Sequence, residues 1–271
     1  MIRKPQVAGS FYPAAEQELE KTVKNYLGET DLSPAAGIMV PHAGYIYSGR
    51  TAGLTYRRVK IPDTVIIIGP NHTGRGAPVS VMAEGAWQIP PSEIEINSTL
   101  AGEIISGSRF AQNDTEAHAG GFPRGEHCLE VQLPFLYYLN PSVNIVPVVM
   151  GVNDISYVED LADAVISAIK GSSREVLIAA SSDMSHFISE DEARKKDRMA
   201  IDKIMNLDYR GLMDTVRKNN ITMCGAAPAA VMVKAADELG ARKAELIDYT
   251  TSADTTGDSS RVVGYAGIIL R

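Results

Sequence analysis

Short apolar runs alternate with helical segments along most of this chain, and that alternation limits its fold more than any other feature. The runs Gly37–Val40, Thr64–Ile68, Asn144–Met150 and Glu175–Ala180 have strand length and few polar residues. Around them, apolar residues recur at helical spacing over residues 16–27, 49–59, 98–106, 155–169, 190–206, 209–218 and 227–239, with Ser98 as an N-cap. Glu126–Leu139 reads as helical with a break near Pro134, and residues 244–250 and 262–270 read as closing strands. Strands that are apolar throughout are covered on both faces, and strand–helix alternation builds βαβ units. The expectation is one α/β domain over residues 1–271, with a largely parallel central sheet flanked by helices.

The chain's 271 residues are enough for a sizeable core. A net charge of −7, with no basic cluster beyond Arg194-Lys195-Lys196, argues against nucleic acid as a partner. No apolar stretch reaches transmembrane length, and Met1-Ile2-Arg3-Lys4-Pro5 lacks a signal-peptide core. A cytoplasmic protein without a membrane partner is expected. Two cysteines, Cys128 and Cys224, do not make a disulfide framework.

Three of the five histidines stand just beyond the ends of the apolar runs. His42 follows Gly37–Val40, His72 follows Thr64–Ile68, and His186 follows Glu175–Ala180. Ligands of open α/β sheets bind beyond the carboxyl ends of the strands, so imidazoles delivered there converge from distant parts of the sequence. Converging imidazoles point to a metal or an acid/base site. Asp183 lies three residues before His186, close enough to orient it; the plainer reading is a capping carboxylate beside an exposed histidine.

Cys224 precedes the helix expected from Ala227. Helix N-termini favour thiolates, which makes it a candidate ligand or nucleophile, the alternative being an inert buried thiol. His127 and Glu130 share a helical face at i, i+3, which suits a ligand with its carboxylate partner or an ordinary surface hydrogen bond. Tyr45 and Tyr47 either line a pocket or simply pack. The chain contains no Gly-x-Gly-x-x-Gly, Walker A, His-Glu-x-x-His or Gly-x-Ser-x-Gly element, so nucleotide-dependent and α/β-hydrolase chemistry have no motif support.

Taken in order, seven segments resemble the Memo family: Val7–Pro13, Pro41–Tyr45, Gly69–His72, Glu126–Pro134, Ser181–His186, Cys224-Gly225 and Val263–Tyr265. The resemblance spans nearly the whole chain. It implies a fold similar to class III extradiol ring-cleaving dioxygenases, with a thiolate where those enzymes place a carboxylate. Carried over, the metal ligands are His42, His72 and Cys224, holding one ion, Fe(II) favoured and Cu or Zn the alternatives. His186 takes the acid/base position with Asp183 beside it, and Phe11, Tyr47 and His127 belong to the substrate pocket. Two departures from the family pattern are Gln88-Ile89-Pro90-Pro91-Ser92 after Trp87, and Cys128 in place of the usual Ser. The implied function is a redox, dioxygenase-like metalloenzyme. The alternatives are a zinc-dependent hydrolase and a non-catalytic protein that binds a peptide or small molecule in the same cleft. A radical-SAM pathway partner is also implied.

Overall fold

The computed structural model describes residues 1–120 and 125–271. Along the chain run β1 (Ile2–Arg3), α1 (Glu16–Leu27), β2 (Gly37–Val40), α2 (Tyr45–Tyr56), β3 (Thr64–Pro70), β4 (Val79–Val81), β5 (Ala86–Ile89), β6 (Ser92–Glu95), α3 (Ser98–Gly107) and β7 (Ala111–Asn113). A 3₁₀ turn (Glu130–Gln132) then leads into α4 (Leu133–Leu139), β8 (Asn144–Met150), α5 (Ile155–Gly171), β9 (Val176–Ser181) and β10 (His186–Ile188). The chain finishes with α6 (Glu190–Met205), α7 (Tyr209–Lys218), α8 (Ala226–Glu238), β11 (Ala244–Thr251), α9 (Ala253–Thr256) and β12 (Val262–Leu270).

The large sheet has the order β10-β12-β2-β9-β3-β8-β4-β7, with β11 paired to β12. Its centre, β2-β9-β3-β8, is parallel. Its flanks include antiparallel pairs, β2–β12, β10–β12 and β11–β12 on one side and β4–β8 on the other. The sheet is therefore mixed rather than largely parallel. The cause at β11–β12 is connection length: residues 252–261 are too few for a parallel crossover, which takes a dozen or more. A second, three-stranded sheet has the order β1-β5-β6.

Side chains of the central strands alternate between two cores, as the period of two requires. Met39, Ile66, Ile68, Val146, Val148, Ile178 and Ala180 share a core with residues of α3, α5 and α8. Ile38, Val40, Val65, Ile67, Ile145, Leu177 and Ala179 share the other with residues of α1, α2 and α4. This two-sided cover explains the apolar runs.

Several boundaries differ from the sequence reading. The first helix after β2 starts at Tyr45, not Gly49. Gly49 lies within it because α1 packs close: a Cβ there would meet the Tyr26 ring at 2.6 Å. Asn97, not Ser98, caps α3 by accepting from Leu100 N–H. Residues 126–129 are not helical, because the Glu126 carboxylate takes the N–H groups of His127 and Cys128. Pro134 sits in the first turn of α4, starting that helix rather than breaking it. The short strands β1, β4, β5, β6, β7 and β10 went unread. Among the described residues no helix is long and apolar enough to cross a membrane.

Candidate metal centre

β2 and β3 are parallel, both paired to β9, and their carboxyl ends deliver His42 and His72 to one edge of the sheet. The two rings lie edge to face with centroids 5.2 Å apart. Cys224, in the turn before α8, brings Sγ to 3.3 Å from His42 Nε2. Ligand atoms of His42, His72 and Cys224 all lie within 4.8 Å of one another. The three side chains implied by the resemblance thus converge from positions up to 182 residues apart.

Both imidazoles are held by the nitrogen that faces away from this meeting point. His72 Nδ1 lies 2.9 Å from Glu126 Oε1. A carboxylate only accepts, so Nδ1 carries the proton and Nε2 the lone pair. His42 Nδ1 lies 3.0 Å from Ser181 Oγ, whose own hydrogen goes to the Cys128 carbonyl at 2.7 Å. Here too Nδ1 is the donor and Nε2 is left free, an assignment made from the hydrogen-bond network. Gln132 Nε2 donates both to Ser181 Oγ and to the Pro41 carbonyl, at 2.9 Å each, fixing the hydroxyl.

Glu126 is 1 % exposed and organises the His72 side. Besides the ring, it accepts the backbone N–H groups of His72, His127 and Cys128 at 2.6, 2.9 and 3.0 Å. Burial opposes its charge, yet these bonds and His72 hold its carboxyl below the usual range. Burial also opposes protonation of His72, but the same carboxylate overrides it and raises the imidazole's pKa. His42, deeper, is driven well below the ordinary imidazole range by burial and then by His72. Burial, reinforced by Asp183, raises the Cys224 thiol despite the helix N-terminus that follows it.

Two carboxylates that sequence spacing offers as orienting groups have other hydrogen-bond partners. Asp183 does not orient His186 through a hydrogen bond; its Oδ1 accepts the His42 backbone N–H at 2.8 Å. His186, at the start of β10, instead sets Nδ1 2.8 Å from the Thr222 carbonyl, while its N–H donates to Thr222 Oγ1 at 2.7 Å. A carbonyl only accepts, so His186 Nε2 bears the free lone pair. Glu130 does not serve His127. It pairs with Arg3 at 2.6 Å and accepts from Gln6 N–H, Val7 N–H and Tyr12 OH, binding the N-terminal segment. His127 stacks on His72 at 4.8 Å and meets Phe11 edge to face at 4.8 Å. Tyr47 lies on the first turn of α2, 40 % exposed, in a recess with Arg50 and Tyr249. Tyr45 packs in the second core, donating to the Val131 carbonyl at 2.7 Å. Cys128 is fully buried beside the Pro70 carbonyl.

Glu126, Ser181 and Thr222 were missed. Glu126 carried the one available signal, a carboxylate directly before a histidine. Ser181 reads as the first residue of the polar loop after a strand, and Thr222 falls between predicted helices with no signal of its own.

The sequence model describing Memo-like proteins matches residues 3–269. A MEMO1 family protein from Methanopyrus kandleri is 39 % identical over 286 residues, covering all of this chain and 99 % of its own. Another from Aquifex aeolicus is 42 % identical over 273 residues, covering 99 % of each chain. A third, from Methanothermobacter thermautotrophicus, is 41 % identical over 280 residues, covering 98 % of this chain and 99 % of its own. Identity at this level over nearly the full length of both chains defines a shared family. The chain belongs to the Memo family.

Proposed function

We propose that His42, His72 and Cys224 hold one metal ion, and that the protein is a redox metalloenzyme with a fold similar to class III extradiol dioxygenases. The observation that carries this reading is the common presentation of the donors. Two imidazoles offer Nε2 lone pairs, each fixed through Nδ1, and a thiol stands against one of them. Orienting acceptors on the far nitrogen are the usual support of metal-bound histidines. The donors' spread of at most 4.8 Å is one that an ion bonding at about 2.0–2.3 Å bridges with small side-chain movements. The raised thiol loses its proton on metal binding, as ligation requires.

When bound, the metal supplies Lewis acidity and, if iron or copper, one-electron chemistry. Iron is favoured by the likeness to dioxygenases, whereas the thiolate suits copper or zinc. The protein's own groups do the rest. Glu126 makes His72 an electron-rich donor; burial keeps His42 neutral, and Ser181 fixes its tautomer. His186, anchored by Thr222, offers Nε2 as the proton acceptor. His127 stacks on His72, with Phe11 packed edge to face against His127. The same cleft takes a small molecule or peptide, and a radical-SAM protein is the proposed pathway partner.

The test is metal analysis of protein purified without oxygen and without a His tag. One equivalent is expected in the parent and in Cys128→Ser, with little in His42→Ala and Cys224→Ser. His186→Ala should keep the metal and lose about 10²–10⁴-fold in any turnover. Metal lost equally from His186→Ala and His42→Ala would make this a three-histidine site. Iron supports the redox reading; zinc in the oxygen-free protein would replace it with a hydrolase.

A further inference from the structure

A recess with a volume of about 820 Å³ lies on the Cys224 side of the centre. One wall is α7, with Met213 and Val216 facing in; the other is the Asn153–Ile155 loop that follows β8. Its lining continues along Ile221, Thr222, Met223 and Cys224. It therefore adjoins the carboxyl ends of β8 and β9, where ligands of open α/β sheets bind. Thr222, which anchors His186, is part of this wall.

The charges of this recess are matched. Arg210 pairs with Glu159, and Arg217 with Asp214 at 2.9 Å. Asp154 is occupied in capping α5, accepting from Ser156 N–H at 2.8 Å. Met213 and Val216 give the lining an apolar patch, to which Ile221 and Met223, nearly buried, add little. The side-chain amides of Asn153 and Asn220 have no hydrogen-bond partner among the described residues, which leaves neutral polar groups at the rim. A volume of this size is that of a small-molecule site, which falls within about 300–1,000 Å³.

We propose that this recess is the ligand-binding cleft of the centre, that it opens onto Cys224, and that it takes a neutral, mainly apolar small molecule with a hydrogen-bonding end. An anion gains little there, because both arginines already have carboxylate partners. The proposal deepens the metalloenzyme reading and rests on it for the role of the ligand as substrate. The cleft itself is testable on metal-free protein.

The probe is N-phenyl-1-naphthylamine, a neutral apolar fluorophore, and the readout is alkylation of Cys224 by iodoacetamide in the metal-free full chain. Cys128, fully buried, should stay unlabelled and serves as the internal control. At about nine times its Kd, the probe should slow Cys224 labelling roughly tenfold. Val216→Trp and, independently, Met213→Trp should fill the recess, slow labelling without any probe and abolish probe protection. Both positions are half-buried, so a larger ring can be accommodated. Phenyl phosphate at the same concentration should protect little. Probe binding without protection of Cys224, or protection untouched by both tryptophan variants, would overturn the proposal. Equal protection by phenyl phosphate would overturn the ligand class. A failed metal test leaves these outcomes unchanged, so the two readings fail separately.

Discussion

The two histidines of the triad do the same job with opposite kinds of support. His42 is 2 % exposed and leans on a neutral hydroxyl, Ser181, backed by the Gln132 amide and, at 3.2 Å, the Tyr56 hydroxyl. The His72 side chain is 34 % exposed and leans on a carboxylate, Glu126. Behind Glu126 stands a charged brace: Arg3 donates to the Glu126 and His118 carbonyls, pairs with Glu130, and lies 3.9 Å from the centre of the Trp87 ring. Where solvent is absent, an unpaired charge is expensive, so the inner histidine is fixed by neutral dipoles. The Glu126 carboxylate is buried too, but three backbone N–H groups and the His72 ring donate to it, so its charge is tolerated and delivers more electron density to the ligand. One half of the centre is set by packing and the other by charge.

The largest effect should come from cutting the charged brace. Glu130→Leu leaves Arg3 buried without its partner, and breaking a buried pair this way costs about 3–5 kcal/mol. It also strands Gln6 N–H, Val7 N–H and Tyr12 OH. Urea unfolding of the metal-free protein should show that loss, along with proteolysis within the first dozen or so residues. A loss below about 1 kcal/mol would mean that the charged half does not depend on its brace.

Acid should attack the same half next. His118, buried among Arg3, Trp87 and Ser80, has no partner for Nδ1 among the described residues. Burial, then Arg3, lowers its pKa to about 4. The folded state keeps it neutral, while the unfolded chain takes up a proton below about 6.5. Protons bound preferentially by the unfolded state make stability fall as pH falls, here between about 6.5 and 4 and no further below. The full effect is about 3 kcal/mol. His118→Gln should flatten the stability–pH curve in this window, measured by thermal unfolding at fixed ionic strength. An unchanged slope would remove His118 from the brace's acid sensitivity.

The contrast between the halves also shows what was legible in the sequence. His42 and His72 were found because strand-length apolar runs end just before them, and a run covered on both faces has a strong signature. Cys224 entered through the resemblance, since a cysteine before a helix is ordinary by itself. The supports were much less visible. A reader of local spacing pairs Asp183 with His186 and His127 with Glu130, because those residues are neighbours in sequence. The real acceptors are set by tertiary contact: Glu126 reaches back 54 residues to His72, and Asp183 141 residues to His42. The sheet was misread for a related reason. Its parallel centre dominates the hydropathy, whereas the three-residue strands β4, β7 and β10 are too short for any periodicity.

Within the centre, Glu126→Gln should weaken metal binding by about 10–100-fold, the range for losing an orienting acceptor. The substitution also turns one oxygen into an NH₂ that faces a backbone N–H, so the ring cannot stay in place. Competition with a chelator of known affinity measures it. Preserved affinity would mean that metal binding needs neither the charge nor the positioning that Glu126 supplies.

Ser181→Ala should do least, and it is the sharpest test of the contrast. It removes the acceptor of His42 Nδ1 and a partner of Gln132, which costs about 1–3 kcal/mol of stability for the groups left unsatisfied. Metal affinity should nevertheless fall less than tenfold. The His42 backbone is fixed independently by Asp183, and its ring is enclosed by His72 and His127 at 5.2 and 5.8 Å. A packed ring with a fixed main chain has few other orientations to adopt, so the hydroxyl selects the tautomer more than it holds the position. The predicted signature is therefore a stability loss without a matching affinity loss, the reverse of Glu126→Gln. If the Ser181→Ala protein binds metal as weakly as the Glu126→Gln protein, the neutral half is held by its hydrogen bond after all, and the division between a packed and a charged side of the centre fails.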